Sequence, residues 1–106
     1  MLFELREYHC KPGRRDEWVK FMEEVVIPFN VSKGAVVVAS FIGENDDDTY
    51  IWIRRFDDEA HRERLYEEIY QSEFWKTEVA PKTPDMIERS LHRITRLTPT
   101  PKSVIR

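Results

Sequence analysis

A chain of 106 residues with 41% apolar and 35% charged side chains suits one small folded unit with a heavily charged surface. Its net charge of −3 speaks against nucleic acid as a partner, because nucleic-acid binders are basic overall. One cysteine, Cys10, excludes an internal disulfide and a multi-cysteine metal cluster.

Residues 2–10 alternate, with Phe3 and Leu5 at odd positions and Glu4, Arg6 and Tyr8 at even ones, so a first strand is expected. Lys11-Pro12-Gly13 breaks it. From Arg14 to about Phe29 the period lengthens. Trp18, Phe21, Met22, Val25, Val26 and Phe29 recur three and four apart and predict an amphipathic helix, with Asp16 and Glu17 in its first turn and Pro28 disrupting its last. Ala35 to Gly43 is a Val/Ile-rich strand, Glu44–Asp48 a polar turn, and Thr49 to Phe56 the second arm of an antiparallel hairpin. Asp57 and Asp58 cap a helix from about Glu59 to Tyr70, and Ser72 caps a short one through Trp75 and Val79. Pro81 and Pro84 end that helix. Met86 to about Leu97 is the last strand, with His92 in its middle, and Thr98 to Arg106 an extended tail.

The order strand, helix, strand, strand, helix, strand predicts an α+β fold, the ferredoxin-like βαββαβ plan, in a single unit spanning residues 1–106. Its four-stranded antiparallel sheet carries helices on one face. The aliphatic odd residues Phe3, Leu5, Ile51 and Ile53 are expected beneath those helices. The even residues Glu4, Arg6, Tyr8, Tyr50, Trp52, Arg54 and Phe56 then form the bare face. An aromatic patch of that size predicts a homodimer, sheet against sheet. Such a dimer buries Glu4, Arg6 and Arg54. Two outcomes stay open: an internal salt-bridge network, or a cavity in which an arginine receives a small acidic or aromatic ligand, with Tyr8 and Trp52 beside it.

Several stretches resemble the NIPSNAP family. Phe3-Glu4-Leu5-Arg6-Glu7-Tyr8 followed by Lys11-Pro12-Gly13 is similar to the family's opening, and Phe56-Asp57-Asp58-Glu59-Ala60-His61-Arg62-Glu63-Arg64 to the start of its second helix. Ser72-Glu73-Phe74-Trp75 resembles its Asp-Pro-Glu-Trp segment, and Arg96-Leu97-Thr98-Pro99-Thr100-Pro101 its closing Arg-Pro-Thr-Pro stretch. The chain departs from the pattern at Ser72, Glu73, Phe74 and Leu97. The resemblance implies a dimeric α+β barrel. It implies no reaction, since most members have none assigned, and a small homodimeric protein that binds a small ligand or a protein partner is expected. Wider barrel relatives include cofactor-independent monooxygenases and haem-handling enzymes, which supply an enzymatic alternative by analogy of fold.

Among the histidines, His9, His61 and His92, no two have the spacing of a helical metal site, and no metal or cofactor is expected. His61 reads as a helix-surface residue. His92 is the one candidate catalytic group, as acid, base or axial haem ligand, if it meets Trp52 and Arg54. Cys10 reads as a small buried side chain, and the acidic turn lacks the spacing of a calcium loop. No apolar run reaches the roughly 20 residues of a membrane span, and the N-terminal residues lack a signal peptide's features. A cytoplasmic location is expected.

Overall fold

The switch between period-two and period-3.6 segments is realised in the computed structural model, which describes residues 1–106. Strand β1 (Leu2–His9) leads to helix α1 (Arg15–Phe21), a π-helical turn (Met22–Val26) and α2 (Ile27–Ser32). Strands β2 (Val36–Ile42) and β3 (Thr49–Phe56) form the hairpin. Helix α3 (Glu59–Tyr70), a second π-helical turn (Trp75–Val79), α4 (Thr83–Met86) and a 3-10 turn (Arg89–Leu91) precede β4 (Arg93–Leu97). The sheet order is β2-β3-β1-β4 and every neighbouring pair is antiparallel. This is the expected ferredoxin-like α+β architecture.

Local chemistry explains the boundaries. The helical segment after β1 runs past Phe29 to Ser32, because Pro28 lies in the first turn of α2, where a missing N–H is tolerated. The π turn just before it changes the hydrogen-bond register there. Gly34 ends the segment with φ +99, while the Ala35 N–H donates back to the Asn30 carbonyl. Asp58 accepts from the His61 N–H at 2.8 Å and Ser72 from the Trp75 N–H at 3.1 Å, both as capping residues. The last strand is shorter than expected. Residues 83–91 form α4, a single bridge between Ile87 and Cys10, and the 3-10 turn, so His92 lies at the entrance to β4 and not in mid-strand. Pro84 starts α4 rather than ending a helix. The tail is not extended throughout. Ser103 N–H donates to the Thr100 carbonyl at 3.0 Å, a turn with Pro101 at the position its fixed φ favours.

One expectation is inverted. The even residues Glu4, Tyr8, Tyr50, Trp52, Arg54 and Phe56 are all buried, against the helices. The bare face carries the odd set: Leu5, Ile51 and Ile53 are half-buried there, with Phe41 and Leu97 exposed beside them and Phe3 covered in part by the tail. The aromatic patch that suggested a dimer therefore lies inside the chain. The physical reason is the supply of partners. The helices bring Asn30, Arg62, Tyr66 and Tyr70 to the charged even residues, whereas aliphatic side chains make no such demand.

Candidate functional site

Register places Glu4 opposite Arg54 and Arg6 opposite Trp52 on β1 and β3. Helix α3 adds Arg62, Tyr66 and Tyr70, four residues apart and so on one face. Glu4 is fully buried. One of its oxygens accepts from Arg54 Nη2 at 2.9 Å; the other accepts from Arg62 Nε at 2.7 Å and the Tyr66 hydroxyl at 2.5 Å. Burial pushes the Glu4 carboxyl up, but Tyr66, Arg54, Arg62 and Arg6 together outweigh burial and hold it below the usual carboxylate value. Burial, then the bond to Glu4, pushes the Tyr66 phenol up to about 12, against the lowering charges of Arg6 and Arg54.

Arg54 is equally enclosed. Its Nη1 donates to Asn30 Oδ1 at 2.8 Å and its Nη2 also to the Tyr70 hydroxyl at 2.9 Å, while its guanidinium lies 4.7 Å from the Trp52 ring centre. Asn30 is held for this by donating to the Val26 carbonyl one turn back. The salt-bridge outcome thus describes Glu4 and Arg54.

Arg6 differs. Its Nε donates to the Tyr8 hydroxyl at 2.8 Å and its Nη1 to the Tyr66 hydroxyl at 3.1 Å, both neutral. Its nearest carboxylate is Glu4 at 3.6 Å, already engaged by Arg54 and Arg62. Arg62 shares a second carboxylate, Glu59, which also pairs with Arg96. Within the Glu4 cluster, Arg6 is the guanidinium left without a hydrogen-bonded counter-ion.

Arg6 also borders a cavity of about 190 Å3 between the sheet and the helices. Four residues singled out from the sequence, Arg6, Tyr8, Trp52 and His92, line it together; Glu4 and Arg54 lie behind its wall. Its apolar lining comes from Trp18, Met22, Val26, Trp75, Val79 and Ile87. Four of these six belong to the two π-helical turns, whose widened backbone is frequent at functional sites. Arg89 and Tyr70 also border it.

Several polar groups here lack partners within the chain. His92 Nε2 and Trp18 Nε1 are buried and unpaired. The Tyr8 oxygen accepts from both Arg6 Nε and Trp52 Nε1, at 2.8 and 2.9 Å, and no acceptor takes its own hydrogen. Burial is the main cause that pushes the Tyr8 phenol up, so it keeps that proton. Burial, then the charges of Arg6 and Arg89, lower the His92 pKa and favour the neutral imidazole. The ring centres of Tyr8 and His92 are 4.6 Å apart. Chemically, the site offers a cation, a free phenol donor and a free imidazole nitrogen in an aromatic cage.

Other sequence candidates stand apart from it. His61 caps α3, with Nδ1 accepting from the Asp57 N–H at 3.0 Å. Cys10 is buried, and burial pushes its thiol to about 11. Asp46 braces the acidic turn by accepting from Thr49 at 2.9 Å. No group of three or more His, Cys, Asp or Glu converges as a metal site, and no helix is long and apolar enough to cross a membrane. The sequence reading missed Asn30, Tyr66 and Tyr70 as polar partners. The signal was present: Asn30 ends the Trp18-Met22-Val26 stripe at the same spacing, and Arg62, Tyr66 and Tyr70 form a polar stripe on α3.

The ferredoxin-like sheet with helices on one face is a fold shared by several groups of proteins. A model of the NIPSNAP family matches residues 3–102, nearly the whole chain, and the protein belongs to that family. A NIPSNAP family protein of unknown function from Agrobacterium tumefaciens superposes with a TM-score of 0.88 at 22% identity, covering 100% of this chain and 94% of that one. An uncharacterized NIPSNAP domain protein from Burkholderia xenovorans gives 0.84 at 18% identity, with 96% and 97% covered. An antibiotic biosynthesis monooxygenase gives 0.68 at 16% identity, with 95% and 100% covered, a likeness of fold. A search of curated proteins yields no match.

Proposed function

We propose that this NIPSNAP protein is a cytoplasmic homodimer that binds a small organic acid with an aromatic or branched apolar body in the cavity under its helices. The observation that carries this reading is Arg6: a cation bordering an apolar cavity, with neutral hydroxyls for partners and its nearest carboxylate engaged elsewhere. A carboxylate would take its remaining N–H groups, and the tryptophans would enclose the apolar body. The volume of about 190 Å3 lies below the roughly 300 Å3 of ordinary ligand pockets, which favours a compact acid. It does not fit a porphyrin, although His92 Nε2 has the chemistry of an axial ligand. The homodimer joins the bare aliphatic faces of two sheets, where Leu5, Ile51, Ile53, Phe41 and Leu97 gather.

Calorimetry with phenylacetate and benzoate tests the site. Wild type binds at least one of them, and Arg6→Ala loses binding while keeping its fold. Equal affinity in both chains removes Arg6 from the site. Light scattering tests the assembly: twice the chain mass is expected, and Ile53→Lys yields monomers.

A further inference from the structure

Resting on the ligand reading above, we infer that the cavity also catalyses proton transfer at a carbon acid: His92 Nε2 accepts a proton from the carbon beside a carbonyl, and Arg6 with the Tyr8 hydroxyl holds the resulting oxyanion.

The lining narrows the chemistry. It contains no carboxylate, serine or cysteine, and its one aliphatic hydroxyl, Thr83, is committed to the carbonyls of Val79 and Ala80. Apart from His92 and the tyrosines, no side chain there can act as an acyl or phosphoryl nucleophile. The remaining groups form the complementary set for enolisation. An unpaired, buried imidazole nitrogen is a proton acceptor whose lone pair no protein group occupies. With its proton on Nδ1, neutral His92 presents that lone pair at Nε2. The Tyr8 oxygen receives two N–H donors, which polarise its O–H, and that O–H has no acceptor in the chain. Arg6 adds fixed positive charge, and the apolar walls strengthen both interactions by excluding water.

The step balances without an oxidant or cofactor. The C–H bond breaks and its proton forms a bond to Nε2. The released electron pair makes a carbon–carbon double bond, and the carbonyl pair moves to oxygen. The imidazolium then either trades its proton with solvent and delivers the new one to the same carbon, which is exchange, or gives its proton to another atom of the enolate, which is isomerisation. Neutral His92 is restored. The charged and titratable groups around His92 are the Tyr8 phenol against its ring, Arg6 and Arg89, which with burial lower its pKa, Glu88, which raises it, and His9, which lowers it. The free base is the major form at neutral pH.

Phenylpyruvate is a suitable probe, since it joins an aromatic ring, a carboxylate and an acidic methylene beside a carbonyl. Binding is read by quenching of tryptophan fluorescence, because Trp18, Trp52 and Trp75 all line the cavity. Exchange is read by loss of the methylene signal in proton NMR in deuterated buffer. Wild type is expected to bind saturably and to exchange on the order of a hundredfold faster than buffer. His92→Gln is expected to keep the quenching and return exchange to the buffer rate. Tyr8→Phe is expected to lower exchange toward the buffer rate by more than it weakens binding. The wild-type rate should fall on acidification through the lowered His92 pKa. Binding without exchange above buffer, or exchange unchanged in His92→Gln, overturns this inference and leaves the ligand reading standing. No quenching at millimolar phenylpyruvate, and no calorimetric binding of the simpler acids, overturns both.

Discussion

Arg54 and Arg6 share one sheet face on adjacent strands, yet they meet different fates. Arg54 is fully buried and bonds the Glu4 carboxylate, the Asn30 side-chain oxygen Oδ1 and the Tyr70 hydroxyl. Arg6 has phenol oxygens as its hydrogen-bond acceptors and borders a cavity. Residue type is therefore a poor guide to role. A buried charge matched by a hydrogen-bonded opposite charge is part of the framework. One matched by neutral groups keeps attraction to spare for an incoming anion.

The sharpest way to break this contrast is Glu4→Gln. It leaves Arg54 buried without a counter-ion and should cost about 3–5 kcal/mol, read from urea unfolding. A loss under about 1 kcal/mol would mean that the network does not hold the fold together. Tyr66→Phe probes the same framework more gently. It removes the shortest bond to Glu4 and one acceptor for Arg6, and should cost about 1.5–3 kcal/mol, as hydrogen bonds to charged groups do. Arg6→Met is the counterpart on the cavity side. It removes a charge that lacks its own counter-ion, so stability should change by less than about 1 kcal/mol while acid binding disappears. A large loss of stability there would place Arg6 in the framework beside Arg54.

A smaller effect concerns pH. His9, on the bare side of β1, sits between two carboxylates, with Nδ1 2.9 Å from Asp48 and Nε2 2.9 Å from Glu7. Carboxylates only accept, so the imidazolium satisfies both, and these bonds raise the His9 pKa above 6.5. Its contribution to stability is complete below pH 6.5 and is lost as pH rises through the raised value. Glu4 works in the other direction: its contribution is complete above pH 4.5 and fades as pH falls through its lowered value. His92, with a lowered pKa, subtracts stability as pH falls below 6.5. The difference between wild type and His9→Gln isolates the first group. In thermal melts it should be largest below pH 6.5 and shrink toward alkaline pH. A difference that grows with pH would rule out the clasp.

The sequence by itself determined the four strands, the two main helical segments, their order and hence the α+β plan, though not α4 or the 3-10 turn, because period, proline, glycine and capping signals act within a few residues of one another. Thr49–Phe56 and Glu59–Tyr70 coincide with their expected bounds. The family resemblance was legible for a similar reason, being carried by short motifs in fixed order. Arg6, Tyr8, Trp52 and His92 stood out as reactive or anchoring side chains before any geometry was known. Only the tertiary structure decided which sheet face turns inward. Strand parity groups residues into two sets but does not say which set the helices cover, and both sets here have apolar members. Intrinsic hydrophobicity favoured Leu5, Ile51 and Ile53 for the interior. The even set prevailed because Asn30, Arg62, Tyr66 and Tyr70, distant in sequence, satisfy its charges. The same nonlocal pairing separates Arg54 from Arg6, since a counter-ion is a matter of distance in space and not of position along the chain.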